Sequence, residues 1–421
     1  MRPRFSEAIA ILPFSQLPCT GVHRFTTPLA FRHMIGVSLR ILFSFARGRG
    51  HVLPLIPIVR AAADAGHATG LVGAREAVLE RDEFDVLFPR TVPLPSSTRG
   101  TGVLAPLDPA RVLTSVGPLF LGPRAVDAAN DVRDVLRQWA ADVLVCDELD
   151  FGAMVAAEQV GVPCVVVTVF ATASQVWRSS IREAVSDLRQ AAGLAPDPEF
   201  RSLGGSLTVI PVPASMRTGA EFGSSVIRMR PGIPAVKQRH EAADWLHRAV
   251  DKPHVYVTLG TDFNTRSGSL FDRLFDALVG VDAQILITSG PHVPRSVISR
   301  GRTPSNIRVE SFVPQQDLRG NLDLVVCHGG SGSVVGAVTD GVPVITTPLG
   351  ADQYPNGRWL ERSGAGLLLD AACCTVAEVR SSIALVLSNA RFRTAACDIK
   401  TQFAELPPPD QVLRTIVMLA K

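Results

Sequence analysis

Residues 328–356, HGGSGSVVGAVTDGVPVITTPLGADQYPN, decide the fold. They follow an apolar run, Leu322 to Cys327 (LDLVVC), that reads as a buried parallel strand. Glycines at 329, 330 and 332 let the backbone turn tightly and approach a ligand. A helix is expected from Ser333 to Asp340, ended by Gly341. Strand, glycine turn and helix N-terminus together make an anion site, because unpaired N–H groups and the helix dipole point at one place. His328 and the hydroxyls of Ser331 and Ser333 add donors there. A second strand, Val342 to Thr347, ends at Pro348, and beyond it Asp352 and Gln353 are able to bond sugar hydroxyls.

Outward from this stretch the same α/β pattern occurs twice. In the first half, Leu39–Phe45 reads as a strand, Val52–Gly66 as a helix with Pro54 in its first turn, and Thr69–Val72 as a second strand. Helix Ala125–Trp139, strand Val143–Cys146, helix Phe151–Val160 and strand Pro163–Val169 follow. Leu207–Ile210 reads as the last strand of that half. Residues 89–124 are rich in Pro, Gly and Ser and read as loops. The pattern restarts with strand His254–Leu259, helix Leu270–Val279 and strands Ala283–Thr288 and Ile307–Glu310. Two α/β halves predict two Rossmann-like parallel sheets facing a cleft.

At 421 residues the chain has room for two ordinary domains. It is 46% hydrophobic and 19% charged, with a formal net charge of only +3. No basic stripe with interleaved aromatics occurs, which argues against a nucleic-acid partner. No run of about 18 apolar residues occurs, so no transmembrane helix is expected. The seven cysteines include no CxxC and read as reduced thiols, which suits a cytoplasmic protein. Residues 1–37 hold Arg2, Arg4 and a short apolar stretch, Ala8–Phe14, broken by Pro13. They are expected to be a disordered extension rather than a signal peptide, with Met34 just before the first strand.

The 328–356 stretch resembles the donor-binding signature of GT-B nucleotide-sugar glycosyltransferases, in particular the bacterial branch that decorates natural products and is related to the UDP-glycosyltransferases. The pattern HxGxxS/T, GxP, DQxxN is met by His328, Gly330, Ser333, Gly341, Pro343, Asp352, Gln353 and Asn356. The resemblance extends over about residues 38–421. It implies an N-terminal extension at 1–37, an acceptor-binding domain at 38–230 and a linker at 231–252. A donor-binding domain at 253–403 follows, then a C-terminal helix at 404–421 that returns to the first domain.

The same resemblance assigns roles. His51, after the first strand in Gly48-Arg49-Gly50-His51, matches the general base that deprotonates the acceptor, although a helix-start histidine bonding its own backbone is the plain alternative. Asp147, at the end of another strand, matches the acid that orients it, with an N-cap as the plain alternative and Asp150 as its competitor. Phe312 takes the place of a base-stacking Trp, and Val313 backbone and the Gln315 side chain are candidates for the base edge. Gly260 and Thr261 match a phosphate contact, as do His328, Gly330, Ser331, Gly332 and Ser333, and Asp352 and Gln353 match the donor-sugar contacts.

One departure concerns the nucleotide. UDP-using relatives place a Glu on the ribose hydroxyls where this chain has Gly336, which suits a dTDP-deoxysugar. No DxD, HExxH or CxxC occurs, so neither metal nor cofactor is expected. The reading is an inverting hexosyltransferase acting on a small-molecule aglycone, with a homodimer admitted. A nucleotide-sugar epimerase or hydrolase, or a non-catalytic nucleotide-sugar-binding protein, are the alternatives.

Overall fold

The computed structural model describes residues 38–420 apart from 79–85, 87, 90–103, 105–107, 109–118, 173–177, 219–221, 224, 233–238, 262–263, 291 and 300–302. The expected extension at 1–37 lies outside the described residues, as does much of the 89–124 loop region. Among the described residues no helix is long and apolar enough to cross a membrane.

Two parallel sheets form the framework. The first contains β1 (Arg40–Ser44), β2 (Ala68–Gly73), β3 (Phe88–Pro89), β4 (Val143–Asp147), β5 (Cys164–Val167), β6 (Leu207–Ile210) and β7 (Val226–Arg228). Its order is β3-β2-β1-β4-β5-β6-β7. The second contains β8 (His254–Thr258), β9 (Gln284–Thr288), β10 (Ile307–Glu310), β11 (Leu324–Cys327), β12 (Val344–Thr346) and β13 (Gly366–Leu368), in the order β10-β9-β8-β11-β12-β13. The inner strands are buried on both faces, which is why they read as unbroken apolar runs: β4 is VLVCD and β11 is LVVC, with every residue buried.

In each sheet the strand order reverses direction once, between β1 and β4 and between β8 and β11. Crossovers on the two sides of such a point leave to opposite faces, so a crevice opens at the carboxyl ends of the two strands. Ser44 lies level with Cys146 in one pair, and Thr258 level with Cys327 in the other. His51 and Asp147 therefore share one crevice, and Gly260 and His328 the other.

The structure departs from the expected elements where strands are short. β7 extends the first sheet beyond β6, and β13 closes the second; each has three residues, too few for a periodic signal. The segment after Gly48 is one helical turn, Arg49–Val52, then a separate helix, Ile56–Asp64, where a single helix is expected. Helix Glu241–His247, read as linker, buries Ala242, Ala243 and Leu246 in a cluster with Tyr256, Leu286 and Leu318 of the second half. Helix Val376–Ser388 begins with a Thr375–Glu378 capping box, a signal present in the sequence.

The two halves share a core. Ala171, Ile210, Val212 and Met216 of the first half lie in one hydrophobic cluster with Val334, Trp359 and Leu360 of the second. The C-terminal helix, Pro409–Leu419, packs on helix Ile56–Asp64 and buries Val412, Leu413, Ile416 and Val417. Each such side chain contributes about 1.5–3 kcal/mol of burial. Arg230 N–H donates to Pro407 O at 2.7 Å, which fixes the point where the chain crosses back.

Candidate functional site

The first crevice holds an imidazole–carboxylate pair. His51 Nδ1 lies 3.1 Å from Asp147 Oδ1. Asp147 ends β4 and is fully buried, while the His51 side chain is 17% exposed and so open to a ligand. The carboxylate is saturated with donors: Oδ2 accepts from Ala46 N–H at 2.6 Å, and Oδ1 also from Leu149 N–H at 2.8 Å. That fixes its rotamer, and the rotamer fixes the ring. An acceptor-only partner at Nδ1 places the proton there and leaves Nε2 as the basic nitrogen. The competitor Asp150 does other work. It is the N-cap of helix Phe151–Val160, accepting from Ala153 N–H, and it takes the Ser44 hydroxyl at 2.6 Å.

Phe120 was not anticipated. Its ring centroid lies 5.5 Å from that of His51, and the Arg47 guanidinium lies 5.7 Å from the same centroid. It comes from the Pro-Gly-rich stretch, where no periodicity marks a wall residue.

In the second crevice, His328 directly follows β11 and stands between two glycines. A side chain on Gly260 would meet its ring at 2.7 Å, and one on Gly330 would meet Nε2 at 2.5 Å. Gly260 also has φ +75°, a conformation that favours glycine. These glycines exist to let the ring in. Burial pushes the His328 imidazole down to about 4, against a smaller opposite pull from the Thr258 backbone. Nδ1 is buried and meets no partner of hydrogen-bond geometry among the described residues.

That burial has a measurable consequence. An unfolded histidine takes its proton near 6.5 and the folded one near 4, so the unfolded state binds more protons in between. The stability tied to His328 is whole above 6.5, declines as pH falls through the window and levels off below about 4. From pH 7.5 to 5, wild type should lose roughly 2 kcal/mol relative to His328→Gln, from about 1.5 pH units of linkage. Urea unfolding of both proteins at the two pH values measures it; a difference independent of pH would refute the assignment.

The helix after the glycine turn is Ser331–Val338, so it starts two residues before the expected Ser333. The reason is Asp352, whose Oδ2 accepts from Ser331 N–H at 3.2 Å and from the Ser331 hydroxyl, capping the extra residues. The first turn leaves Gly332 and Ser333 N–H without intrahelical acceptors, aimed out of the N-terminus. The Ser331 hydroxyl differs from the expectation of a phosphate donor: its proton goes to Asp352, and its oxygen accepts from Ala171 N–H at 2.7 Å.

Asp352 and Gln353 lie beside this turn at the start of helix Gln353–Ser363. Gln353 is buried, and its Oε1 accepts from Leu349 and Gly350 N–H at 2.6 and 3.0 Å. Only its amide nitrogen is left for a sugar. Burial raises the Asp352 carboxyl, opposed by its bonds to Ser331 and Asn356. Asn356 is fully buried and binds the cluster together: Nδ2 reaches Gly329 O at 2.9 Å and Asp352 Oδ2 at 2.9 Å, while Oδ1 accepts the Thr172 hydroxyl at 2.7 Å.

Phe312 is half-buried, and Val313 is buried in the core. Gln315 Nε2 donates to Ser333 O at 3.1 Å. A side chain on Gly336 would meet that carboxamide at 2.8 Å. Gln315 therefore occupies the space that a residue at 336 would enter. Thr261 follows Gly260 at the end of β8 and is half-buried. Among the described residues no group of His, Cys, Asp or Glu is arranged to hold a metal ion.

The chain is similar to known proteins over most of its length. Residues 272–419 match the family model of the erythromycin biosynthesis protein CIII-like C-terminal domain. The chain is 26% identical to 4'-demethylrebeccamycin synthase of Lentzea aerocolonigenes, over 87% of this chain and 96% of that protein. It is 24% identical to 3-alpha-mycarosylerythronolide B desosaminyl transferase of Saccharopolyspora erythraea, over 89% and 97%. Among solved structures, the glycosyltransferase SnogD of Streptomyces nogalater superposes with a TM-score of 0.69 at 22% identity, covering 91% of this chain and all of that one. Glycosyltransferase VinC, solved in complex with dTDP, has the same TM-score at 21% identity, over 91% and 99%.

The fold and these relatives define the class: a glycosyltransferase of GT-B architecture. More particularly, residues 272–419 match the erythromycin biosynthesis protein CIII-like C-terminal domain, and nearly the whole chain is similar to bacterial antibiotic sugar transferases.

Proposed function

We propose that this enzyme transfers a sugar, with inversion and without a metal, from a dTDP-deoxysugar to a hydroxyl of a small natural-product acceptor. The observation that carries this reading is the pair of crevices. One presents His51 with Asp147 behind it, and the other presents a helix N-terminus and His328, whose Nδ1 has no hydrogen-bond partner among the described residues. His51 Nε2 removes the acceptor proton, Asp147 stabilises the imidazolium, and the acceptor oxygen attacks the anomeric carbon in line. The nucleoside diphosphate leaves toward Gly332, Ser333 and His328, where N–H groups and the helix dipole stabilise its charge. Gly260 and Thr261 border the same anion site. Phe312 stacks on the base, with Val313 backbone and Gln315 at its edge, and Asp352 and Gln353 orient the sugar. The relatives' names, which include a desosaminyl transferase, support a deoxysugar donor and a polyketide-like or aromatic acceptor. The test is product analysis by mass spectrometry after incubation with dTDP-glucose and dTDP-deoxysugars against a panel of phenols and macrocyclic alcohols. An epimerised or merely hydrolysed donor, with no acceptor conjugate, would sink the reading.

Metal independence follows from the helix-terminus anion site. Turnover should persist in excess EDTA; a rate that collapses and returns with Mg²⁺ or Mn²⁺ would contradict it.

Donor choice rests on Gly336. A ribose 2′-hydroxyl buried without an acceptor costs about 1–3 kcal/mol, so dTDP should be favoured over UDP by roughly 10- to 100-fold. Gly336→Glu must push the Gln315 carboxamide aside, so it should weaken both nucleotides while shifting preference toward UDP. Gly336→Ala displaces Gln315 without adding a carboxylate and should leave the preference unchanged. Titration calorimetry with dTDP and UDP reads all three proteins; equal affinities in the wild type would leave Gly336 a packing residue.

A further inference from the structure

The residue after Asp147 enters none of the steps above, yet it is tied more tightly than any surface charge. Glu148 and Arg217 form a buried ion pair, with side chains 10% and 1% exposed. The guanidinium grips both carboxylate oxygens, Nη2 to Oε2 at 2.8 Å and Nη1 to Oε1 at 3.2 Å, and Nη1 also donates to Phe170 O at 2.6 Å. Glu148 Oε1 accepts from Val169 and Phe170 N–H, each at 2.7 Å. The pair thus holds backbone donors and an acceptor of one short segment, 169–170. The next two residues of that segment cross the cleft. Ala171 N–H reaches Ser331 Oγ at 2.7 Å, and the Thr172 hydroxyl reaches Asn356 Oδ1 at 2.7 Å. Ser331 opens the diphosphate-binding helix, and Asn356 holds Asp352.

Such a pair is a poor device for stability. Desolvating two charges offsets most of their attraction, and well-packed apolar residues commonly do as well. Burial indeed pushes the Glu148 carboxyl up from its usual range, against the pull of Arg217. What the pair supplies that apolar side chains cannot is direction: fixed hydrogen bonds to named backbone atoms. Glu148 is one residue from Asp147, and the Phe170 backbone that the pair holds is one residue from the first bond to the donor half.

We propose that Glu148 and Arg217 are positioning residues for sugar transfer: they hold segment 169–172 so that its bonds to Ser331 and Asn356 set the His51–Asp147 pair at reacting distance from the bound donor. The proposal rests on the base and donor assignments given above. Neither residue touches substrate. Their effect is on alignment, where a displacement of about 1 Å can lower a rate roughly 100-fold.

Three variants test it: Arg217→Lys, which keeps the charge but loses the fork; Glu148→Gln; and Thr172→Val, which removes one crossing bond and leaves the ion pair intact. kcat and acceptor KM are measured with the acceptor that wild type glycosylates, and Kd for dTDP by calorimetry. The expected result is a fall in kcat of about 10- to 100-fold in the ion-pair variants and a smaller fall in Thr172→Val, with dTDP affinity within about threefold of wild type. A structural role alone would lower the folded fraction and leave the turnover of folded enzyme unchanged. Folded variants with wild-type kcat, or with dTDP affinity lost in step with kcat, overturn the proposal. If the ion-pair variants do not fold, Thr172→Val decides by the same criteria. Normal turnover by His51→Ala would instead remove the base assignment, and the positioning proposal with it.

Discussion

His51→Ala is expected to lower kcat by about 10²- to 10⁴-fold, the range for a positioned general base. The acceptor hydroxyl is a poor nucleophile until its proton leaves, and the nearby carboxylates are already engaged: Asp150 accepts from the Ser44 hydroxyl and Ala153 N–H, and Asp147 is held behind the ring. That carboxylate is fully buried and already accepts from Ala46 and Leu149 N–H, so it cannot take over. Affinity for dTDP should stay within a few-fold of wild type, because the anion site is built on the other sheet. The variant should also fold normally, since the ring is partly exposed. Single-turnover transfer and calorimetry together measure the split. Near-normal turnover on a hydroxyl acceptor would show that the base is wrongly assigned.

Asp147→Asn should cost less in rate, about 10- to 10³-fold, and should cost stability as well. All three groups facing the carboxylate are donors: His51 Nδ1, Ala46 N–H and Leu149 N–H. An asparagine carries an NH₂ in place of one acceptor, so whichever way it turns a buried donor faces a donor. That leaves at least one group unsatisfied, at about 1–3 kcal/mol. If the NH₂ turns toward His51, the ring must present Nδ1 as acceptor, and Nε2 then carries the proton and cannot act as base. If it turns toward Ala46, the tautomer survives but the imidazolium loses its countercharge. Urea unfolding and kcat/KM should therefore fall together in this variant, in contrast to His51→Ala. Unchanged stability with unchanged kcat/KM would remove Asp147 from any supporting role.

Much of this site is legible along the chain, for a local reason. A phosphate-binding turn is made by consecutive backbone atoms, so its glycines, helix start and flanking strands must be adjacent in sequence. The same holds for the GxP that restarts a strand and for the DQxxN one βα unit later. His51 and Asp147 are legible less directly. Each follows an apolar run, so each can be placed at a strand end, but that the two ends are neighbours depends on the order β1-β4 in the sheet. The choice between Asp147 and Asp150 is likewise three-dimensional, because both follow the same strand and only one faces His51.

Residues acting across distance leave no local pattern. Phe120 lies in an aperiodic stretch; Glu148 and Arg217 are 69 positions apart; Ala171 meets Ser331 from 160 positions away. A backbone N–H such as that of Ala171 is not encoded by residue type at all. Even the Ser331 hydroxyl, which the sequence offers as a phosphate donor, is redirected by tertiary contacts to Asp352 and Ala171. By itself the amino-acid sequence determined two α/β halves, the glycine turn into a helix at 328–333 and the acid–amide pair after it, because period, glycine and helix-start signals are short-range. The tertiary structure alone decided which carboxylate supports His51, which hydroxyls remain for a ligand and how the two halves are bonded across the cleft. Those outcomes depend on which strand ends and loops meet, and hydrogen bonds at 2.6–3.1 Å are set by that meeting and not by spacing along the chain.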